Sequence, residues 1–174
     1  MHTGSRYILY HFAYGSNLSS CFLREYCPSM EYVMKAYLPN YRVEFRFYSE
    51  RREGGISTIM SHPGHMTRGI IYDIPDEDMV RLDEMESVSQ GLYKRETFMV
   101  LGEEDRWYEA DLYRVVKPEG PFTPARSYIE LMIEGIEEHG LDPEYRKELT
   151  ELLKPSRTNN TSSHNNKTRM RESQ

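Results

Sequence analysis

Cysteine, tryptophan and long apolar runs are all scarce in this chain. The only cysteines, Cys21 and Cys27, have no histidine at metal-ligand spacing, so neither a disulfide framework nor a zinc site is written here. The pair fits a reducing compartment. No run of about 18 apolar residues occurs, so no membrane span is expected. The first residues hold one arginine and no apolar segment of signal-peptide length, which makes the cytoplasm the expected setting. Asn17, Asn160 and Asn166, each in an N-x-Ser/Thr triplet, then read as chance matches. Basic charge is short as well: the net charge is −6. Residues 155–174 hold four basic side chains and one acid, leaving 18 basic and 27 acidic in the remainder. That acidic body argues against nucleic acid as a partner.

What is present in quantity is tyrosine, 14 in 174 residues, which supplies amphipathic bulk where the hydrophobic fraction is only 38%. The length suits one domain with a proper core. Residues 1–6 read as an unstructured lead-in, 7–154 as the domain, and 155–174 as a polar, disordered tail unable to bury enough apolar surface to fold.

Strands come first. Tyr7 to Tyr14 is rich in β-branched and aromatic residues, and Glu31 to Tyr37 gives a second extended run. Tyr41-Arg42-Val43-Glu44-Phe45-Arg46-Phe47 alternates cleanly, as a half-buried strand does. Gly55 to Met60 and Thr67 to Ile74 read as strands around a turn, His62-Pro63-Gly64-His65. A helix is predicted over 75–86, opened by Pro75 and three acids that suit the positive end of its dipole. Leu92–Leu101 and Trp107–Val116 read as a strand pair. A helix from Thr123 or Pro124 carries Tyr128, Leu131, Met132 and Ile136 on its apolar face and stops at Gly140; a last one starts at Asp142-Pro143. A series of strands with one helix inserted and two at the end predicts an α+β fold: a small mixed β-barrel or curved sheet with flanking helices.

Two stretches carry possible chemistry. The first strand runs into Gly15-Ser16-Asn17, then into Leu18 and a short helical start. Such a turn exposes successive backbone N–H groups able to hold an oxyanion or carboxylate, and Gly15 permits close approach. Taken alone, the same residues read first as an ordinary strand-to-helix turn with Ser16 or Asn17 as N-cap. On the predicted helix 75–86, Glu86 falls within about 20° of the Met79 direction, in the middle of the apolar side formed with Val80, Leu82 and Met85. Asp83 shares part of that face and Glu84 points to solvent. Either the helix has ended by residue 86 and the side chain is exposed, or a carboxylate is held in an apolar wall, where burial raises its pKa and makes it a better base.

The motifs Phe12-Ala13-Tyr14-Gly15-Ser16-Asn17-Leu18, Gly54-Gly55-Ile56-Ser57-Thr58-Ile59, Leu82-Asp83-Glu84-Met85-Glu86, Gly91-Leu92-Tyr93 and Gly140-Leu141-Asp142-Pro143-Glu144-Tyr145 occur in this order. Together they resemble the γ-glutamylcyclotransferase family over roughly residues 7–153. The resemblance implies a small mixed barrel with a pocket at one end, a small-molecule γ-glutamyl substrate, no metal, no cofactor and a possible homodimer. It also implies a reaction in which the α-amine of a γ-glutamyl group attacks its own γ-carbonyl, giving 5-oxoproline and a free amine. Glu86 matches the family's catalytic carboxylate, Tyr14, Gly15, Ser16, Asn17 and Leu18 its substrate-binding turn, and Tyr93 a position that orients substrate or base. One departure is plain. Where some family members carry a tyrosine after the penultimate strand, this chain has Val116-Lys117-Pro118-Glu119-Gly120.

Other candidates are weaker. His62 and His65 lack a third metal ligand, Ser16 lacks the pattern of a strand-borne nucleophile, and the cysteines lack an activating base. Arg51-Arg52 reads as a solvated loop tip, and Lys117 as a solvated lysine. Two alternatives to a cyclising enzyme stay open at this point: a binding module for an acidic small molecule, and a related amide hydrolase.

Overall fold

The computed structural model describes residues 9–154; the expected lead-in over 1–6 and tail over 155–174 lie outside them. Five strands, β1 (Tyr10–Ala13), β2 (Glu31–Ser49), β3 (Gly54–Asp73), β4 (Tyr93–Gly102) and β5 (Trp107–Val115), close into a barrel in the order β1-β3-β2-β4-β5. All pairings are antiparallel except β1 with β5, which closes the barrel in parallel through Tyr10↔Ala110 and His11↔Asp111. Four helices flank it: α1 (Ser20–Arg24), α2 (Asp76–Met85), α3 (Arg126–His139) and α4 (Pro143–Leu152). The fold is the mixed α+β barrel expected from the order of elements.

Closure buries both faces of several strands. Phe12, Ile71 and Leu112 join Leu38, Ile59 and Val100 in one apolar cluster of strand residues, which Tyr14, just past the end of β1, completes. Their neighbours Ala13, Ile70, Tyr72 and Tyr113 join a second cluster with Leu82, Met132, Ile136 and Leu149 from the helices. Period-two alternation thus sorts side chains into barrel interior and helix-facing layer. The helix caps are local. Ser19 Oγ accepts from the Phe22 N–H at 3.2 Å to start α1, and Asp142 Oδ1 accepts from the Glu144 N–H at 2.9 Å to start α4. Gly140, at φ 61°, ends α3 in the left-handed conformation.

Three expectations are corrected. The runs 31–37 and 41–47 are one strand, because the chain passes Pro39 and Asn40 as a bulge and pairing resumes. The predicted turn His62–His65 is the opposite side of that bulge. Pairing jumps from Pro39↔Met66 to Tyr41↔Ser61, and Asn40 Oδ1 accepts the Gly64 N–H at 3.0 Å. On α2, Pro75 is the N-cap and Val80 is 59% exposed, so the apolar stripe is narrower than the wheel suggests.

Candidate active site

The end of β1 and the end of α2 meet at one place. After Ala13 the chain passes Tyr14 and Gly15 into a single 3₁₀ turn, Ser16–Leu18, in which the Leu18 N–H bonds to the Gly15 carbonyl at 3.0 Å and the Ser19 N–H to that of Ser16 at 3.2 Å. Such a turn leaves its first N–H groups without internal partners. Among the described residues those of Gly15 and Asn17 make no hydrogen bond, and that of Ser16 faces the Tyr128 hydroxyl. A side chain at position 15 has no room: a Cβ there would strike the Tyr128 hydroxyl and come within 2.6 Å of Ser57 Oγ. Glycine is required by close approach.

Glu86 caps the C-terminus of α2. Its N–H bonds to the Leu82 carbonyl at 2.9 Å, which keeps it on the buried Leu82 face, and Ser87 then turns the chain away at φ 53°. Of the two placements that the sequence left open, the helix does end here, yet the side chain is half-buried and points inward. Asn17 Nδ2 donates to Glu86 Oε1 at 3.1 Å, joining the turn to the carboxylate. Burial pushes the Glu86 carboxyl up to about 7, with Asp83 adding to the rise; the Asn17 hydrogen bond and the field of Arg52 hold it from going higher.

A small cavity of about 20 Å³ sits between these groups, lined by residues 11–17, Ser57, Glu86, Tyr93, Tyr113 and Tyr128. It has room for about one water-sized group. It adjoins a chamber of about 300 Å³ that shares Ser16, Glu86, Tyr93 and Tyr128 with it. The lining hydroxyls are tied down. Tyr93 donates to the Ser57 carbonyl at 2.6 Å, Tyr128 and Ser57 Oγ share a hydrogen bond of 2.8 Å, Tyr113 donates to Asp83 Oδ1 at 2.7 Å, and Tyr14 donates to the Tyr113 carbonyl. Burial raises all four phenols above the ordinary tyrosine value, so they stay protonated donors. His11 is pushed down to about 3 by burial and stays a neutral imidazole. Among the described residues, Glu86 is therefore the one group lining the cavity that changes protonation near neutral pH.

Of the residues singled out from sequence, Tyr14, Gly15, Ser16, Asn17, Glu86 and Tyr93 lie around this cavity. Leu18 does not: it is fully buried in the core, and its carbonyl accepts from the Tyr72 hydroxyl at 3.1 Å. Lys117 lines a different groove with Phe47, Tyr48 and Glu119. His62 and His65 sit on the bulge, and no set of three or more metal-ligating side chains gathers among the described residues. Cys27 is buried beside Asp78, its thiol pushed up to about 12 by burial, which makes it inert. Ser57, Tyr128, Tyr113 and His11 are cavity residues that sequence reasoning missed. The Arg51-Arg52 pair is not a solvated tip: both line the outer chamber, Arg51 exposed and Arg52 half-buried. Among the described residues no helix is long and apolar enough to cross a membrane.

A closed mixed barrel of five strands flanked by four helices is the γ-glutamyl cyclotransferase-like fold. A solved γ-glutamyl cyclotransferase structure superposes with a TM-score of 0.79 at 26% identity, covering 89% of this chain and 94% of its own. The AIG2-like family matches residues 67–149. The γ-glutamylcyclotransferase of Mus musculus is 30% identical over 143 residues, 80% of this chain and 76% of its own length; that of Bos taurus is 29% identical over 146 residues, 82% and 77%. This chain belongs to the γ-glutamylcyclotransferase family.

Proposed function

We propose that the protein cleaves a γ-glutamyl amide by intramolecular cyclisation, with Glu86 as base and then acid. The α-nitrogen of the glutamyl group attacks its own γ-carbonyl carbon. One C–N bond forms, the amide C–N bond breaks, and the products are 5-oxoproline and a free amine; no water is consumed. Attack requires a neutral amine, so a proton must leave the α-ammonium and one must reach the departing nitrogen. A single carboxylate titrating near 7 serves both steps, since it takes the first proton without being too weak an acid to return it.

The rest of the cavity suits the other charges in the reaction. Negative charge develops on the γ-carbonyl oxygen, and the substrate brings an α-carboxylate. The free N–H groups of Gly15 and Asn17 are fixed donors for one of these anions, and the phenols add donors that stay protonated. The inner cavity takes the polar tip of the glutamyl arm, the scissile amide lies at the Glu86 mouth, and the leaving amine projects into the outer chamber. Folding the arm so that amine and carbonyl meet is most of the enzyme's task, because the reacting groups are already tethered. Tyr93 and Tyr128, which line both spaces, orient the arm.

The observation that carries this reading is the Asn17–Glu86 hydrogen bond, which unites the donor-bearing turn and the one carboxylate of suitable pKa. The test is incubation of the protein with γ-glutamyl-alanine, glutathione, γ-glutamyl-lysine and a γ-glutamylated simple amine, with mass-spectrometric detection of 5-oxoproline. Product is expected from at least one compound, with a loss of about 10²–10⁴-fold in Glu86→Gln. Free glutamate as the product would make the protein a hydrolase instead, and unchanged turnover in Glu86→Gln would remove Glu86 as the base.

A further inference from the structure

The chamber outside the cavity has a charge that the overall composition hides. In a chain of net charge −6, the only charged residues lining this chamber among those described are Arg51, Arg52 and Glu86. Arg52 is the inner of the two arginines. It stands on the short connection between β2 and β3, where its N–H bonds to Ser49 Oγ at 3.2 Å. Its guanidinium carbon lies 5.6 Å from the Phe22 ring centroid and 5.4 Å from that of Tyr128, so two aromatic rings from different helices bracket it. It makes no ion pair among the described residues, unlike Arg42, Arg46, Arg68, Arg95 and Arg114.

A guanidinium held by ring faces keeps its N–H fork available, and that fork matches a carboxylate with two parallel hydrogen bonds. Tyr128, one of the bracketing rings, shares its hydroxyl with Ser57 at the inner cavity. Arg52 thus lines the same chamber as Glu86, the one into which the leaving amine projects on the reading above. Gly15 and Asn17, which carry the free backbone donors, line the inner cavity and not this chamber.

We propose that Arg52 is a specificity residue that reads a carboxylate on the leaving amine, so that the preferred substrates join the γ-glutamyl group to an acidic amine, the smallest being an α-amino acid. The inference rests on the cyclotransferase reading above. In an α-amino acid the carboxylate is two bonds from the scissile nitrogen, which puts it in the outer chamber while the amide is at Glu86. A γ-glutamyl polyamine or lysine side-chain amide lacking a nearby carboxylate would set a cation or an apolar chain against Arg52 instead.

The experiment compares γ-glutamyl-alanine with γ-glutamyl-ethylamine, the same amine without its carboxylate, by 5-oxoproline formation in the wild type, Arg52→Gln and Arg52→Lys. The wild type should favour the alanine compound by about 10–100-fold in kcat/KM, the size of a charge-assisted hydrogen-bonded pair. Arg52→Gln should bring that ratio close to one, and Arg52→Lys should restore part of it, as a point charge without the fork. Arg52 also acts on Glu86, but that effect falls on both substrates and cancels in the ratio. A wild type with no preference, or an Arg52→Gln variant that loses activity equally on both compounds, overturns the assignment; the latter would place Arg52 on the glutamyl half. No 5-oxoproline from either compound in the wild type would instead overturn the cyclotransferase reading itself.

Discussion

Glu86 is a carboxylate whose folded state favours the proton. Its pKa lies at about 7, against ~4.3 for an unfolded glutamate. Between those values the folded chain holds a proton that the unfolded chain has released, so stability falls as pH rises through that window and is flat above it. The cost at pH 8 is on the order of 1–3 kcal/mol, given the partial exposure of the residue. Two results are expected from this one side chain. The kcat/KM profile of the wild type should have its rising limb near pH 7, read from initial rates across pH 5–9. Glu86→Gln, which can still accept from Asn17, should unfold at a higher temperature than the wild type at pH 8, with the gain shrinking towards pH 5. A wild-type limb near pH 4 would show that the carboxylate is not held as described.

At the scale of elements, the site depends on how closely α3 packs on the 3₁₀ turn. Gly135 faces Leu18, and a Cβ there would strike the Leu18 carbonyl group. Glycine in a helix interior costs about 1 kcal/mol relative to alanine, and here it permits contact between backbones. Tyr128 stands on the same helix, so moving α3 outward moves a cavity hydroxyl as well. Gly135→Ala should therefore destabilise by about 1–3 kcal/mol, despite its better helix propensity, and lower kcat/KM along with it. Denaturant melts and the 5-oxoproline assay test both halves; a more stable, fully active variant would contradict the packing. This dependence also shows which parts of the site were legible. Tyr41 to Phe47 announces a strand by alternation, and Pro75, Gly140 and Asp142-Pro143 mark helix ends through local backbone chemistry. The turn Tyr14–Asn17 and Glu86 were readable because each is a local motif. Tyr128 was not, since its spacing on α3 is that of any core residue, and only closure of the fold brings it to Ser57. Arg52 looked solvated for the same reason: its bracketing rings come from residues distant in sequence. Pro39-Asn40 and His62–His65 resembled ends of strands because a bulge and a turn use the same residue types.

For the molecule as a whole, two groups around one cavity, buried His11 and half-buried Glu86, pull stability in opposite directions with pH. His11, held down at about 3, leaves the unfolded chain with the extra proton below ~6.5, so its contribution rises with pH where that of Glu86 falls. Their slopes oppose one another in the weakly acidic range.

The way the barrel closes has a kinetic consequence. β2 and β3 are adjacent in sequence and joined by a short connection, whereas β1 must find Ile70–Asp73 on one side and Ala110–Asp111 on the other. Bringing together segments so far apart costs more chain entropy than closing a hairpin, so β1 docks after the long hairpin has formed. Pulse-labelled hydrogen exchange during refolding should show amides of β2 and β3 protected before those of β1; simultaneous protection would refute the order. The turn that follows β1 can take its shape only then, so the protein acquires its barrel first and its capacity for chemistry last.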